Sequence, residues 1–440
     1  MKVPGGFAAI RQILAIANYR LYVIGHLTSN SGLWVQRIAI GWLTWDLTES
    51  AGWLGLIAFA DQVPTILLGL IAGAVVDRMD YFKLLRLTQT LQLLHAFTLA
   101  ACTLLGFMDI WLLLVLTLLR GIVVAFNRPS RMTVIYTLVG RELIAPAIAL
   151  NSTIFNSSRF TGPAIGGFLI VAVGTGWTFA VAFLMFLVFT ITLRLMKLPA
   201  MEAKVRSGRS LLRESWEGVQ YVMRHDGIRL QLGILLITSL FARPLTDLLP
   251  AFAADIFARG PDGLAWLLAF HGFGAILGGT MLAARSQVKG LTRITIFNIL
   301  IMAAALFAFS ITTNFWLACV LSGVAGYAFI VQGTSNQTLI QSAVDTELRG
   351  RVISAYGLVA RGGPALGALI LGVAADHFGL RWPVGIGAAL CLLAWLWAMR
   401  RRKFLAAALE VDPTGLMNIK RDGEKPGAVA APTVTGIDKS

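Results

Sequence analysis

Two carboxylates and five guanidiniums lie inside stretches of this chain that are otherwise apolar: Asp61 and Asp247, with Arg37, Arg120, Arg159, Arg243 and Arg361. A charge in a hydrocarbon setting costs roughly 2.5–3.5 kcal/mol on insertion scales, so each one marks a candidate proton or substrate pathway. A carboxylate whose cationic partner leaves in one conformation is easier to protonate there, which couples proton uptake to a change of shape. On that reading Asp61 or Asp247 takes up a proton, and a nearby arginine tunes and answers its charge. The plainer alternative is a fixed ion pair that only holds helices in register. Asp61 lies eight residues after Trp53, Arg37 eight before Trp45 and Arg120 nine after Trp111. At about 1.5 Å per residue the three sit roughly 12 Å deep, and charges at one depth in one bundle are expected to pair. Asp247 follows Arg243 by four residues, a spacing that puts both on one helix face.

Apolar runs must position these side chains. Hydrophobic residues make up 57% of the 440 and charged residues 13%, against about half and a quarter in globular domains. A soluble chain of this composition could not cover its own core, so the class is membrane. Runs near the spanning length of about 20 residues cover 21–45, 53–76, 84–107, 111–131, 143–173, 177–196, 228–252, 264–284, 294–312, 315–339, 352–375 and 382–399. The expected fold is all-α, with twelve spans in two sets of six. Trp53, Trp111, Trp177 and Trp382 stand at run ends, where amphipathic rings sit at headgroup level.

The net charge of +15 is not a nucleic-acid patch, because the bases recur in alternate connections: Lys2 and Arg11, Arg78 and Lys83, Arg141, Arg285, Arg349 and Lys403. The opposite connections carry Asp46, Glu49, Asp109, Asp255, Asp262 and Asp376 beside Arg259 and Arg381. The positive-inside rule then puts both termini in the cytoplasm. Arg11 and Arg20 interrupt the first twenty residues, so no cleavable signal peptide is expected and the first span serves as the insertion signal.

Residues 1–197 and 228–405 read as two six-helix halves, 198–227 as a cytoplasmic linker, and 406–440 as a disordered cytoplasmic tail. In the linker, Leu211, Leu212, Trp216, Val219 and Val222 recur among Arg213, Glu214, Glu217 and Arg224, which suits an amphipathic helix on the membrane surface or a solvated linker helix. The halves repeat in parallel. Arg120-Gly121, Ser130, Thr133 and Glu142-Leu143 answer Ala325-Gly326, Ser335, Thr338 and Glu347-Leu348; Gly162-Pro163 with Gly166 and Gly167 answers Gly363-Pro364 with Gly367. Such repeats build transporter folds.

Cys102, Cys319 and Cys391 each lie inside an apolar run and read as packing thiols, with no disulfide framework or metal spacing. No phosphate-cradling loop occurs, and the loops are too short to build a nucleophilic or paired-carboxylate active site. ATP-driven transport and enzymatic activity are therefore not expected, nor is a cofactor. His26, His95 and His271 read as hydrogen-bonded to neighbouring helices, with proton carriage the alternative. Asn30, Gln36, Asn127, Asn151, Asn156, Gln332 and Gln337 line a polar path or pack between helices, and the aromatics Phe241, Phe252, Phe257, Trp266, Phe270 and Phe273 favour packing over a substrate cage.

The second run ends in Gly69 to Asp77-Arg78, and a charged hairpin follows to Lys83. Gly73, Asp77, Arg78 and Lys83 resemble the loop between helices 2 and 3 of the major facilitator superfamily, with Asp80-Tyr81 where the family has Gly-Arg. The resemblance implies a gating loop that latches a neighbouring helix end. Gly162, Pro163, Gly166 and Gly167 are similar to the antiporter motif of drug-exporting members, Ser158 standing in place of a glycine. Pro163 removes a backbone hydrogen bond and bends the helix, and the glycines admit a close neighbour.

Asn18-Tyr19-Arg20, Gly41-Trp42, Leu47-Thr48-Glu49-Ser50-Ala51, Pro64, Ala149-Leu150-Asn151-Ser152 and Leu249-Pro250-Ala251-Phe252 resemble one branch of that superfamily, the transmembrane secretion effectors. The likeness implies the major facilitator fold. It also implies proton-coupled export of a small organic molecule, a siderophore or drug, from the bacterial inner membrane by a monomer that has the lipid bilayer and no nucleic acid as partner. A nutrient facilitator or importer, a lipid mover and a non-transporting membrane protein are the alternatives.

Overall fold

A computed structural model describes residues 7–196, 211–285, 287–344 and 348–410. Its order is α1 (Phe7–Ala15), α2 (Ala17–Thr48), α3 (Ala51–Arg78), α4 (Tyr81–Leu104), α5 (Ile110–Val139), α6 (Ile144–Leu195), α7 (Leu211–Arg224), α8 (Asp226–Phe241), α9 (Leu245–Ala251), α10 (Pro261–Ala283), α11 (Leu291–Ile311), α12 (Phe315–Ala343), α13 (Arg349–Phe378), α14 (Arg381–Arg400) and α15 (Arg402–Leu409). Among the described residues nine helical segments are long and apolar enough to cross a membrane. The more polar α2 and α4 have the length to do so. Gly174, at φ 80°, breaks α6 into two legs that cross in turn. The segments thus accommodate the twelve expected spans.

Short connections work because cap residues satisfy the free N–H groups of the next helix. Ser50 Oγ accepts from Trp53 N at 3.2 Å, Asp109 Oδ1 from Leu112 N at 2.9 Å and Asn314 Oδ1 from Leu317 N at 3.1 Å. Asp80 Oδ1 accepts from Phe82 N at 2.9 Å and from Lys83 N at 3.1 Å. The departure Asp80-Tyr81 from the family pattern is therefore a helix N-cap. Trp111, Trp177 and Trp382 are exposed at helix ends, as interfacial anchors should be.

Three boundaries depart from the sequence reading. The fourth span does not stop at residue 131: α5 runs through Arg128, Pro129 and Arg131 to Val139. The seventh span breaks, since α8 ends at Phe241 and α9 resumes only after Pro244, followed by one π-helical turn at Phe252–Ile256. Residues 406–410, at the head of the supposed tail, are held. α15 buries Leu405 and Leu409, and the Glu410 carboxylate accepts from Gly290 N at 2.6 Å and Thr292 N at 2.8 Å. Residues 411–440 lie outside the described ones.

Within the first half α6 packs on α2 and α4, and α5 on α3 and α4; within the second α12 packs on α10 and α11, and α13 on α8. Two helix pairs make the main contact between the halves, α3 with α13 and the first leg of α6 with α10. Counted as spans these are 2 with 11 and 5 with 8, which a six-span shift exchanges. The packing therefore carries the same parallel repeat as the sequence.

The halves meet on the side away from the termini, here the distal side. A Cβ at Gly55 would collide with the Ala368 carbonyl, one at Gly372 with that of Ala51, and one at Gly167 would lie 2.7 Å from Ala265 Cα. Ser50 Oγ also donates to Asp376 Oδ2 at 2.7 Å. Further along the α3–α13 pair a Cβ at Gly362 would still lie 3.6 Å from Ile66 Cδ1, whereas one at Gly69 or Gly357 would have nothing within 4 Å. The chain is closed distally and parts toward its termini.

Candidate transport site between the halves

The two intramembrane acids each hold one arginine. Asp61 on α3 is paired with Arg120 on α5, inside the first half, at side-chain exposures of 13% and 5%. Gly121 makes the approach possible, since a Cβ there would sit 2.8 Å from the Asp61 carbonyl oxygen and 2.9 Å from Pro64 Cγ. Asp247 on α9 accepts from Arg37 Nη2 on α2 at 3.0 Å, so this pair bridges the halves. Both pairs line one small pocket of about 50 Å³ with Thr117, Thr246 and Pro250, room for roughly three waters.

Arg37 and Arg120 line the same pocket, but only Arg120 takes the acid of its own half. Nor do Arg243 and Asp247 act as a helical i,i+4 pair. Pro244 interrupts the helix between them, Arg243 Nη1 donates to Ala360 O at 3.3 Å, and Asp247 is left to Arg37.

The remaining arginines form no ion pair among the described residues. Arg159 feels the charges of Arg243 and Arg37, and Arg128 those of Arg361, Asp61, Arg120 and Arg37. Trp34 is flanked by two guanidiniums, with Arg37 at 5.6 Å and Arg159 at 6.0 Å from its ring centroid. Gly333 leaves room for Arg243, whose Nη2 would lie 2.8 Å from a Cβ there.

Arg128 and Arg131 are absent from the sequence-based candidates because both stand in the last turn of the expected run 111–131, whereas the helix goes on to Val139. Arg131 is buried inside the first half, where Nη2 donates to Ser29 Oγ at 2.7 Å and to Gln89 Oε1 at 3.0 Å, and the guanidinium lies 4.8 Å above the Phe189 ring.

The histidines are engaged by neighbouring helices: His95 with Leu116 O at 3.0 Å, His271 with Ser322 O at 3.1 Å and His26 with Arg131 Nη1 at 3.3 Å. Asn127 donates to Thr88 Oγ1 and Gln332 to Thr238 Oγ1, both at 3.0 Å, which is packing. Phe252 is fully buried against Phe309 and Phe273 is exposed on the surface, so the aromatic run forms no cage.

The glycines of the Gly-Pro motif serve two neighbours. A Cβ at Gly162 would lie 2.5 Å from Trp34 Cβ and one at Gly166 3.2 Å from Val35 Cα, both on α2 of the same half. Gly167 alone of the three faces the other half. Ser158, in place of the motif's glycine, lies 3.3 Å from Ser31 Oγ. In the gating loop Arg78 ends α3 and Lys83 Nζ lies 4.0 Å from Asp80 Oδ2; the surroundings of Gly73 and the side chain of Asp77 lie outside what is described.

Comparison with known proteins matches residues 6–419 to the family described as transmembrane secretion effector. The chain belongs to that family. Among its curated relatives are the multidrug efflux pump Tap of Mycolicibacterium fortuitum, 27% identical over 82% of this chain and 90% of that one, and the staphyloferrin A transporter of Staphylococcus aureus, 25% identical over 79% and 87%. The macrolide efflux protein A of Streptococcus pyogenes is 22% identical over 79% and 86%.

Two solved structures share the fold. One is a bacterial homologue of the human lysosomal transporter Spinster, inward-facing and unoccupied (TM-score 0.66, 15% identity, 93% of this chain and 100% of that one). The other is the nucleoside transporter NupG (TM-score 0.65, 13% identity, 87% and 99%). The effector family and the fold together make the chain a multi-pass secondary transporter of small molecules with the major facilitator architecture, and not an enzyme.

Proposed function

We propose that the chain is a proton-coupled exporter of a small organic molecule, working as a monomer in the bacterial inner membrane with both termini in the cytoplasm. The halves are residues 1–197 and 228–405, joined by the linker 198–227, and they rock about the site between them. With the terminal side cytoplasmic, the described conformation faces inward. The single observation that carries the coupling is the Arg37–Asp247 pair, because it bridges the halves at their closed distal end.

In the inward-facing state Arg37 favours the charged form of Asp247. Outward opening parts α3 from α13 and α6 from α10 and draws Arg37 away. The carboxylate, no longer paired, then takes up a proton. The proton is loaded from outside, the halves close distally, and Arg37 returns and displaces the proton inward. Substrate moves the other way. The Asp61–Arg120 pair stays within one half and serves to fix α3 on α5 beside this switch.

The test is Asp247→Asn in liposomes under an imposed pH gradient. Gradient-driven transport falls to background, while exchange of substrate across the membrane without a gradient persists. Full gradient-driven transport by this variant would overturn the assignment.

A further inference from the structure

Among the described residues, four of the interior arginines form no ion pair. Six guanidiniums face the junction between the halves, those of Arg37, Arg120, Arg128, Arg159, Arg243 and Arg361, against the two carboxylates Asp61 and Asp247, and each carboxylate is taken by one arginine. Six charges less two leaves +4, on Arg128, Arg159, Arg243 and Arg361. Among the described residues none of these four forms an ion pair. Arginine cannot shed its proton in a protein, so the charge persists whichever way the transporter faces.

Their depth is also shared. Arg159 lies midway along the leg from Ile144 to Gly174, fifteen residues from either end. Arg361 on α13, Arg128 on α5 and Arg243 within 226–256 each lie within about 5 Å of their span's middle at 1.5 Å per residue. They come from four different spans, two in each half, with Arg243 at the break of the seventh, and Arg159 faces Arg243 and Arg128 faces Arg361 across the junction. Arg159 and Arg361 are near-equivalents in the internal repeat, three residues before Gly162-Pro163 and two before Gly363-Pro364. The charge therefore surrounds the midplane between the halves, where substrates of this architecture bind, and not the lipid face. Beside it, Trp34 offers a ring face and a buried Nε1–H that has no acceptor among the described residues.

We infer that the transported molecule is an organic anion carrying more than one carboxylate or phosphate, held at the midplane by Arg128, Arg159, Arg243 and Arg361 with its apolar part against Trp34. The inference deepens the transport reading above and rests on it. Two halves that each bring two guanidiniums to one multivalent anion are drawn together by it, and an empty site repels closure. That gives the anion itself a part in switching the protein from one face to the other. A cationic or neutral drug would leave the four charges facing one another unscreened.

The experiment measures binding by fluorescence anisotropy to the full chain in nanodiscs of zwitterionic phosphatidylcholine. The probes are carboxyfluorescein, a multivalent anion, and rhodamine 6G, a cation of similar size. Without a gradient the result is independent of the Asp247 test, so either reading can fail alone. The expected result is carboxyfluorescein binding at least about tenfold tighter than rhodamine 6G, weakened by about tenfold or more in R159Q and in R361Q. R159K and R361K, which keep the charge, retain most of it. If a glutamine variant fails to fold, raising salt from about 50 to about 500 mM on the unaltered protein substitutes, and weakens the anion but not the cation.

Citrate that displaces the dye identifies a soluble carboxylate as the occupant; displacement only by phosphatidylglycerol introduced into the disc identifies a lipid phosphate. Rhodamine binding as tight as carboxyfluorescein overturns the inference. So does absence of anion binding above protein-free discs, or anion binding that both glutamine variants leave unchanged.

Discussion

Asp61 and Asp247 present the same chemical problem, a carboxylate in an apolar setting, and the chain solves it in two ways. Arg120 answers Asp61 from within one rigid half, so the pair persists in every conformation. Removing one partner leaves the other charge uncompensated, a cost of about 3–5 kcal/mol, whereas removing both is far milder. Arg120→Met is therefore expected to lower the thermal unfolding midpoint in detergent sharply, and the double variant Asp61→Asn with Arg120→Gln to recover most of the loss. An Arg120→Met variant that unfolds at the parental temperature would remove the structural role. The charged residues of this site were largely legible in the sequence because a charge in an apolar run stands out. Their partners were not: depth alone suggested that Arg37 belongs with the acid of its own half, and only the fold brings residue 37 to residue 247. Arg128 and Arg131 escaped because they stand in the last turn of the expected run 111–131, while the helix continues to Val139 and Ser29, Gln89 and the Phe189 ring receive Arg131.

At the scale of elements, the helices followed from length and polarity, as did the break at Gly174 between the runs 143–173 and 177–196, and the break at Pro244 did not. Pro244 is a single residue whose effect depends on what the neighbouring chain can satisfy. The contacts between halves are equally local. Gly55 has the Ala368 carbonyl where a side chain would go, so Gly55→Leu is expected to hold α3 off α13 and open the distal side. Faster thiol labelling of a cysteine placed at Leu54, buried in this conformation, would show it; unchanged protection would mean that α3 and α13 do not carry the closure. A second element-scale prediction concerns α15. The Glu410 carboxylate caps the first turn of α11, which favours a negative group. Glu410→Ala is expected to cost about 0.5–2 kcal/mol, read as a lower midpoint of thermal unfolding, while truncation after Glu410 leaves that midpoint in place. The reverse order of sensitivity would place the stabilising contacts in the tail beyond it.

On the scale of the whole molecule, the described conformation is one of two that a pair of repeated halves can adopt. The α3–α13 and α6–α10 contacts are exchanged by the same six-span shift that relates the halves, so parting both distally amounts to one rotation of one half against the other. Ser50 and Asp376 mark the far end of that contact, with Ser50 Oγ and Asp376 Oδ2 2.7 Å apart. Cysteines at both positions, joined by a short thiol cross-linker, are expected to fix the distal side closed. Cys319 and Cys391 are buried and Cys102 half-buried, so the native thiols compete little. A locked molecule can still admit substrate from the terminal side, so binding of the anionic dye should survive. Transport should fall to background and return on cleavage of the linker. Binding and transport lost together would mean that the site needs distal opening to form, and undiminished transport by the linked protein would mean that the halves do not rock about this contact. Survival of one with loss of the other is the signature of a single site that faces the two sides in turn.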